Sequence, residues 1–153
     1  MTGTPRRAAF AFIFITVFLD MLAMGISAPV LPRLVNSFEG NNYGNAAQII
    51  GVFGFSWALM QFVFSPIMGA LSDRFGRRPV VILSNIGLGI DYVVLALAPS
   101  LGWLFVGRIV NGITAATFST AGAYIADVAP PEQRAAKFGM LGAAFGLGFV
   151  IGP

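Results

Sequence analysis

Gly69-Ala70-Leu71-Ser72-Asp73-Arg74-Phe75-Gly76-Arg77-Arg78-Pro79 is a short cationic stretch set between two long apolar runs. Three arginines and one aspartate fall in these eleven residues, in a chain that is only 10% charged. A loop so dense in arginine, and too short to fold alone, must bind something close by. The candidates are the helix ends it joins, anionic lipid headgroups, or another part of the same chain. Gly76 allows a tight turn, and Pro79 suits the first turn of a following helix. Arg77 and Arg78 can reach helix C-terminal carbonyls or lipid phosphate. Asp73 can accept from a helix N-terminus or from an arginine. A topological anchor needs the positive charges alone. A latch that forms in one conformation and breaks in another uses the aspartate, the glycine and the proline as well.

The flanking composition sets the class. The 153 residues are 57% hydrophobic, with a mean hydropathy of +0.83. Soluble domains carry about 25% charged and about 45–50% apolar residues, so the chain reads as an integral membrane protein. There is no cysteine, which excludes a disulfide framework and a thiolate metal site. There is no histidine, which removes the commonest general base and metal ligand. A pI near 10.0 is compatible with nucleic-acid binding in principle. The basic residues lie instead in short loops between apolar runs, the pattern of membrane topology, and no nucleic-acid partner is expected.

Outward from the arginine loop, the chain divides into a polar lead at 1–7 and one partial domain at 8–153. Its apolar runs are 8–28, 46–71, 80–98, 101–126 and 138–153, each near the ~20 residues that span a bilayer or a little short of it. The first run is too long for the apolar region of a signal peptide, contains Asp20, and is expected to end at Pro29 and Pro32. A linker rich in Asn and Gly at 35–45 carries Glu39, Pro99-Ser100 makes a tight turn, and a polar loop at 127–137 holds Pro130-Pro131. If the spans alternate, Arg6, Arg7, Arg74, Arg77, Arg78, Arg134 and Lys137 share one side, and only Arg33 lies near the other. Cytoplasmic loops collect Lys and Arg, which predicts a cytoplasmic N-terminus.

Small and polar residues recur at steps of three or four along the second run: Gly54, Ala58, Gln61, Ser65, Gly69 and Ser72, opposite Phe53, Trp57, Met60 and Phe64. Arg108, Gly112, Ala115, Ser119 and Gly122 do the same in the fourth run, and Gly142 and Gly146 form a small-xxx-small pair in the fifth. Small residues permit close backbone approach in lipid, so these stripes are expected to face other helices. Gln61 and Asn111 carry amides that need partners in lipid and are candidates for lining a cavity. Three charges fall inside spans: Asp20, Asp91 and Arg108. Each costs about 2.5–3.5 kcal/mol at a helix centre on the insertion scale. Such residues face the bundle interior and mark proton relays or substrate pathways. A static Asp–Arg pair would serve to hold helices together. With two acids and one base, one carboxylate is left over, which favours proton exchange by at least one Asp with Arg108 modulating it. Either Asp can be the partner of Arg108.

The eleven-residue stretch resembles the cytoplasmic loop signature between helices two and three of the major facilitator superfamily. Asp20 followed by Gly25 and Pro29-Val30-Leu31-Pro32 resembles the first-helix motif of its drug/proton antiporters. Gly107-Arg108-Ile109-Val110-Asn111-Gly112 resembles the fourth-helix motif, with Asn111 where Gln is frequent. Gly148-Phe149-Val150-Ile151-Gly152-Pro153 resembles the start of the fifth-helix antiporter motif. Met60-Gln61-Phe62, Ile90-Asp91-Tyr92 and Ala121-Gly122-Ala123-Tyr124-Ile125-Ala126-Asp127 are similar to the tetracycline-efflux branch, while Phe118 and Pro130-Pro131 depart from it.

The resemblance implies an all-α integral membrane protein, the partial N-terminal six-helix half of a major facilitator fold with about five transmembrane helices. It implies proton-coupled drug export by alternating access, most simply of tetracycline, with a divalent cation such as Mg travelling with the substrate and no resident cofactor. Asp20, Asp91 and Arg108 match the membrane charges, with Gln61 and Asn111 on the substrate path. Gly69, Ser72, Asp73, Arg74, Gly76, Arg77 and Arg78 match the gating loop, Asp127 the acid ending the fourth helix, and Gly148, Gly152 and Pro153 the antiporter motif. The implied partners are the lipid bilayer of a bacterial inner membrane, a small-molecule drug, protons, and the C-terminal half of the same transporter. The driving force is adequate: about 2.3 kcal/mol per charge per 100 mV and about 1.4 kcal/mol per proton per pH unit. Major facilitators place substrate between two halves, so residues 1–153 alone are expected not to transport. A non-transporting fragment, an antiporter for a different small molecule and a drug sensor are the alternatives. An enzyme would need a catalytic site that a chain without His, Cys or clustered acids does not offer.

Overall fold

The computed structural model describes the backbone of residues 4–153 and the side chains from residue 11 onward. The expected lead at 1–7, with Arg6 and Arg7, lies outside the described side chains, although helix already begins at Thr4. Six helices follow: α1 (Thr4–Phe38), α2 (Tyr43–Phe75), α3 (Arg77–Leu97), α4 (Leu101–Thr114), α5 (Thr117–Val128) and α6 (Pro131–Ile151). Among the described residues, five stretches are long and apolar enough to cross a membrane, with α4 and α5 together forming the fourth. The protein is therefore an all-helical, multi-pass membrane protein, with large side chains such as Ile15, Phe55, Phe62 and Val150 on its outside.

The helices overrun the expected boundaries. α1 continues through Pro29 and Pro32 to Phe38, and α2, which contains Pro66 as expected, runs from Tyr43 to Phe75 rather than 46–71. Each proline removes one donor and frees one carbonyl, and in a membrane bundle neighbouring helices compensate for that loss. The linker expected at 35–45 shrinks to the four residues between α1 and α2, where Gly40 (φ 60°) and Asn41 (φ 67°) turn the chain. Asn42 then caps α2, its Oδ1 accepting from the backbone N–H of Gly44 at 3.1 Å and of Asn45 at 3.2 Å.

The arginine loop is mostly helix. Residues 69–75 are the last turns of α2 and residues 77–79 the first turn of α3, leaving only Gly76 between them. Its φ of 96° is a conformation that other residues rarely adopt. The polar loop expected at 127–137 likewise becomes the end of α5 and the first turns of α6, with Pro131 at the helix start. Arg134 folds back to donate to the carbonyls of Ala129 (3.1 Å) and Ala126 (2.8 Å), which closes the end of α5.

The fourth span is broken, where the sequence suggested one run. Ala115 and Ala116 leave the helix between α4 and α5. Irregular backbone at membrane depth survives only where protein or a polar cavity satisfies it. Here Gln61 Nε2 donates to the Ala115 carbonyl at 3.3 Å, and the Ala116 N–H donates to Ser84 Oγ at 3.2 Å. The break is thus held by α2 on one side and α3 on the other.

α1 packs chiefly on α6, while α2 and α3 both pack on α4. Ile13, Val17, Ala121, Ile125, Leu141 and Ala144 form one buried cluster, and Val35, Ala46, Phe53 and Leu104 form another. The close-approach glycines are not all those expected. Gly142 and Gly146 have nothing within 4 Å of a Cβ position, so they form no seam among the described residues. The seam is Gly148 and Gly152 against α1, where a Cβ on Gly148 would lie 2.8 Å from Leu22 N and Phe18 O. Most of the stripe on α2 is also turned away from its neighbours, and only Ser72 of it is buried. Gly54 and Gly69 stand open, and the large face packs instead: Gly112 of α4 fits against Trp57 and Met60, and Phe53 rests on Phe105 with ring centroids 5.6 Å apart. Small residues mark where a helix could approach, but the partner's position decides which face it uses.

Candidate functional site

The open part of the α2 stripe borders a half-open cavity of about 560 Å³ between the helices, with Gly54, Gln61 and Ser65 on its wall. All three in-span charges line it: Asp20 from α1, Asp91 from α3 and Arg108 from α4. Met21, Met24, Trp57, Phe118 and Phe145 supply apolar and aromatic wall. A mostly apolar chamber with a few convergent polar groups is the usual form of a small-molecule site.

The open question of which acid meets Arg108 has an answer. Asp91 does: its Oδ2 lies 3.5 Å from an Arg108 terminal nitrogen, and the residue is only 4% exposed. Gly107, next to Arg108, makes this possible, because a Cβ there would stand 2.8 Å from Asp91 Oδ1. Sequence reasoning placed Gly107 in a motif without seeing this purpose. The Arg108 Nε is buried with no hydrogen-bond partner among the described residues, and so is Asp20 Oδ1.

The two amides behave differently from each other. Asn111 Oδ1 accepts from Trp57 Nε1 at 2.6 Å, which ties α4 to α2. Gln61 lines the cavity and braces the break in the fourth span. Trp57, Ser84, Tyr92 and Thr117 were not singled out as cavity residues, yet all four line the chamber. The Tyr92 hydroxyl donates to the Ala23 carbonyl of α1. Ser84 and Thr117 matter only because the fourth span is broken, which no local signal announced.

A second polar cluster sits at the Arg77 end. Arg77 donates to Ser72 Oγ at 3.1 Å, pairs with Asp73 Oδ1 at 2.8 Å, and pairs with Asp127 Oδ2 at 2.6 Å. One guanidinium therefore joins the end of α2, the start of α3 and the end of α5. Arg78 lies over the Phe12 ring of α1, 5.0 Å from its centroid, and Arg74 lies 5.3 Å from that of its neighbour Phe75. Gly69 touches nothing within 4 Å of a Cβ position, and Gly76 makes the turn. Gly148, Gly152 and Pro153 pack on α1 instead, Gly148 against Phe18, Met21 and Leu22, and Gly152 and Pro153 against Gly25.

Membrane-length helices around a mostly apolar chamber with buried charges define a transporter-like membrane protein. The family model for the Major Facilitator Superfamily matches residues 13–153, and the chain belongs to that superfamily. Among its relatives, the tetracycline resistance protein, class C, of Escherichia coli is 49% identical over 138 residues, covering 90% of this chain and 34% of that protein. The class B protein of Escherichia coli is 46% identical over 135 residues, covering 88% and 33%. The crystal structure of the human organic anion transporter MFSD10 (TETRAN) matches with a TM-score of 0.81 at 27% identity, covering 99% of this chain and 41% of that one. The chain spans about a third of the length of the curated relatives it matches. It is thus a member of a transporter superfamily with tetracycline resistance proteins among its relatives, and its fold is that of the matching part of a major facilitator.

Proposed function

We propose that the chain is the N-terminal part of a proton-coupled exporter of tetracycline-type drugs, working by alternating access in a bacterial inner membrane with its N-terminus cytoplasmic. The observation that carries this reading is the pairing of Asp91 with Arg108 on the wall of a cavity that also holds an unpaired acid, Asp20. A proton taken up by one of these acids changes the charge of the chamber, which is what exchange of drug for proton requires. Asp20 and Asp91 are the proton-accepting groups, and Arg108 biases Asp91. Gln61 and Asn111 lie on the substrate path. Tetracycline would travel as its complex with a divalent cation such as Mg, the metal being cargo. The Arg77 cluster serves as the cytoplasmic gate, closed when Ser72, Asp73 and Asp127 converge on one guanidinium. Lipid, drug and proton are the partners of this chain, together with the second half of the transporter, because substrate in this superfamily lies between two halves.

The test is drug uptake into everted vesicles carrying the full reading frame, energised by a pH gradient. Asp91→Asn should abolish proton-coupled export while the protein remains in the membrane. Unchanged export would defeat the role assigned to Asp91. A second reading, export of an organic anion, is favoured by the likeness to MFSD10 and by the unpartnered Nε of Arg108. Competition between tetracycline and an organic anion for uptake separates the two. A non-transporting fragment would show neither.

A further inference from the structure

The break in the fourth span does more than bend a helix. A continuous span would bury the backbone N–H groups around residue 117 in its own ladder. Instead α5 restarts there: the Thr120 N–H bonds to the Ala116 carbonyl at 2.9 Å, and Ala116, as N-cap, has no side chain with which to cap the first turn. The positive end of a helix dipole is therefore left facing the chamber. Thr117, its first residue, is only 5% exposed, lines the cavity, and has a hydroxyl without a hydrogen-bond partner among the described residues. On α1, which packs against α5, Asp20 lines the same cavity, and its Oδ1 is also buried and unpartnered among the described residues. One group needs an acceptor and the other needs a donor. Buried polar groups in folded proteins are rarely left in that state.

We propose that Thr117 is a positioning residue for Asp20: its hydroxyl, fixed at the amino end of α5 by the break at Ala115-Ala116, donates to the Asp20 carboxyl and sets the place where that acid takes and gives up its proton. The inference rests on the exchange reading given above. It adds a second polar locus to the chamber, separate from the Asp91–Arg108 pair. The other ionisable groups facing this space are Asp91 and Tyr92 from α3 and Arg108 from α4; α2 offers the Gln61 amide and α6 the Phe145 ring. Gln61 and Ser84, which hold the break open, support the same arrangement from a distance.

Infrared difference spectroscopy between acid and alkaline pH, on the full reading frame in lipid vesicles, tests this directly. Asp20→Asn identifies the Asp20 carboxyl band by its loss. Thr117→Val keeps the volume but removes the donor, and should move that band to higher wavenumber. Thr117→Ser restores the hydroxyl and should return it. Export in everted vesicles should fall about tenfold in maximal rate in Thr117→Val, as loss of a charge-assisted hydrogen bond implies, with KM unchanged, and recover in Thr117→Ser. A band that stays at its wild-type position in Thr117→Val overturns the proposal. So does the absence of any Asp20 band in the unsubstituted protein, since Asp20 then exchanges no proton. If the band responds as expected but the unsubstituted protein exports nothing, the exchange reading fails and the Thr117–Asp20 contact stands.

Discussion

Two glycines six residues apart in α6, Gly142 and Gly148, should respond in opposite ways to the same substitution. Gly148 faces α1, and a Cβ added there would lie 2.8 Å from Leu22 N, Met21 Cβ and Phe18 O. Two of those atoms are backbone and the third is fixed to it, so none can swing aside. Ordinary contact begins at 3.4 Å, so α1 and α6 must separate along their most extensive interface. Overpacking of this kind costs about 1–3 kcal/mol. Alanine in place of glycine returns about 1 kcal/mol of helix propensity. Gly148→Ala should therefore be destabilising by up to about 2 kcal/mol, the difference of those two magnitudes. Gly142 has nothing within 4 Å of its Cβ position, so Gly142→Ala keeps only the gain. The two variants should differ by about 1–3 kcal/mol, the overpacking magnitude alone. Unfolding by a graded denaturing detergent in mixed micelles, read by helical circular dichroism, measures that gap. Equal stabilities, or a larger loss for Gly142→Ala, would refute the assignment of the seam and with it the docking of α6 on α1.

Three further outcomes follow from the charged clusters. A double-mutant cycle on Arg77→Ala and Asp127→Ala should give a coupling of at most about 1 kcal/mol in stability, because the Asp127 side chain is 56% exposed, while turnover drops far more; a coupling of several kcal/mol would recast the cluster as a structural staple. Asp73→Asn should impair conformational switching more than insertion, read as lost export at unchanged membrane abundance; wild-type turnover would reduce the stretch to a topology signal. Gly107→Ala should displace Asp91, since its Cβ would come 2.8 Å from Oδ1, and should lower export at least tenfold; an unaffected rate would mean that the Asp91–Arg108 contact is dispensable.

The number of crossings, the in-span charges and the arginine stretch were legible because they depend on local composition, whereas Asp127 came only from the family resemblance. Apolar run length and arginine placement need no knowledge of neighbours. Even the closing of Arg77 on an acid could be anticipated from the density of charge around Gly76. The misses share one cause. Whether a helix survives Pro29 or Pro32 is decided by what surrounds the freed carbonyl. Whether the fourth span breaks at Ala115 is decided by Gln61 and Ser84, which lie far away in sequence. The seam glycines were mistaken for the same reason: Gly142 and Gly148 have equal licence to approach a neighbour, and only the position of α1 distinguishes them. The partner of Arg108 stayed open because nothing in the spacing of Asp20 and Asp91 reveals that α3, not α1, lies along α4 at that level.

The two ion-pair sites differ in a way opposite to what stability alone would favour. A buried pair that holds helices together gains by being bidentate, with every donor satisfied, because an unmatched buried charge is costly. The Asp91–Arg108 contact is instead a single approach at 3.5 Å, and the Arg108 Nε has no partner among the described residues. The short contacts, 2.6 and 2.8 Å, belong to Arg77, whose acids are more than half exposed and so contribute little to folding. The tight cluster therefore sits where water can reach and break it, and the loose pair sits inside the chamber with donor capacity to spare. A gate needs contacts that solvent can exchange. An exchange site needs charges that are held near one another but not fully committed. Reading both clusters as staples leaves the spare donor on Arg108 unexplained, whereas reading the chamber as a place where a ligand's acceptor completes that bond accounts for it.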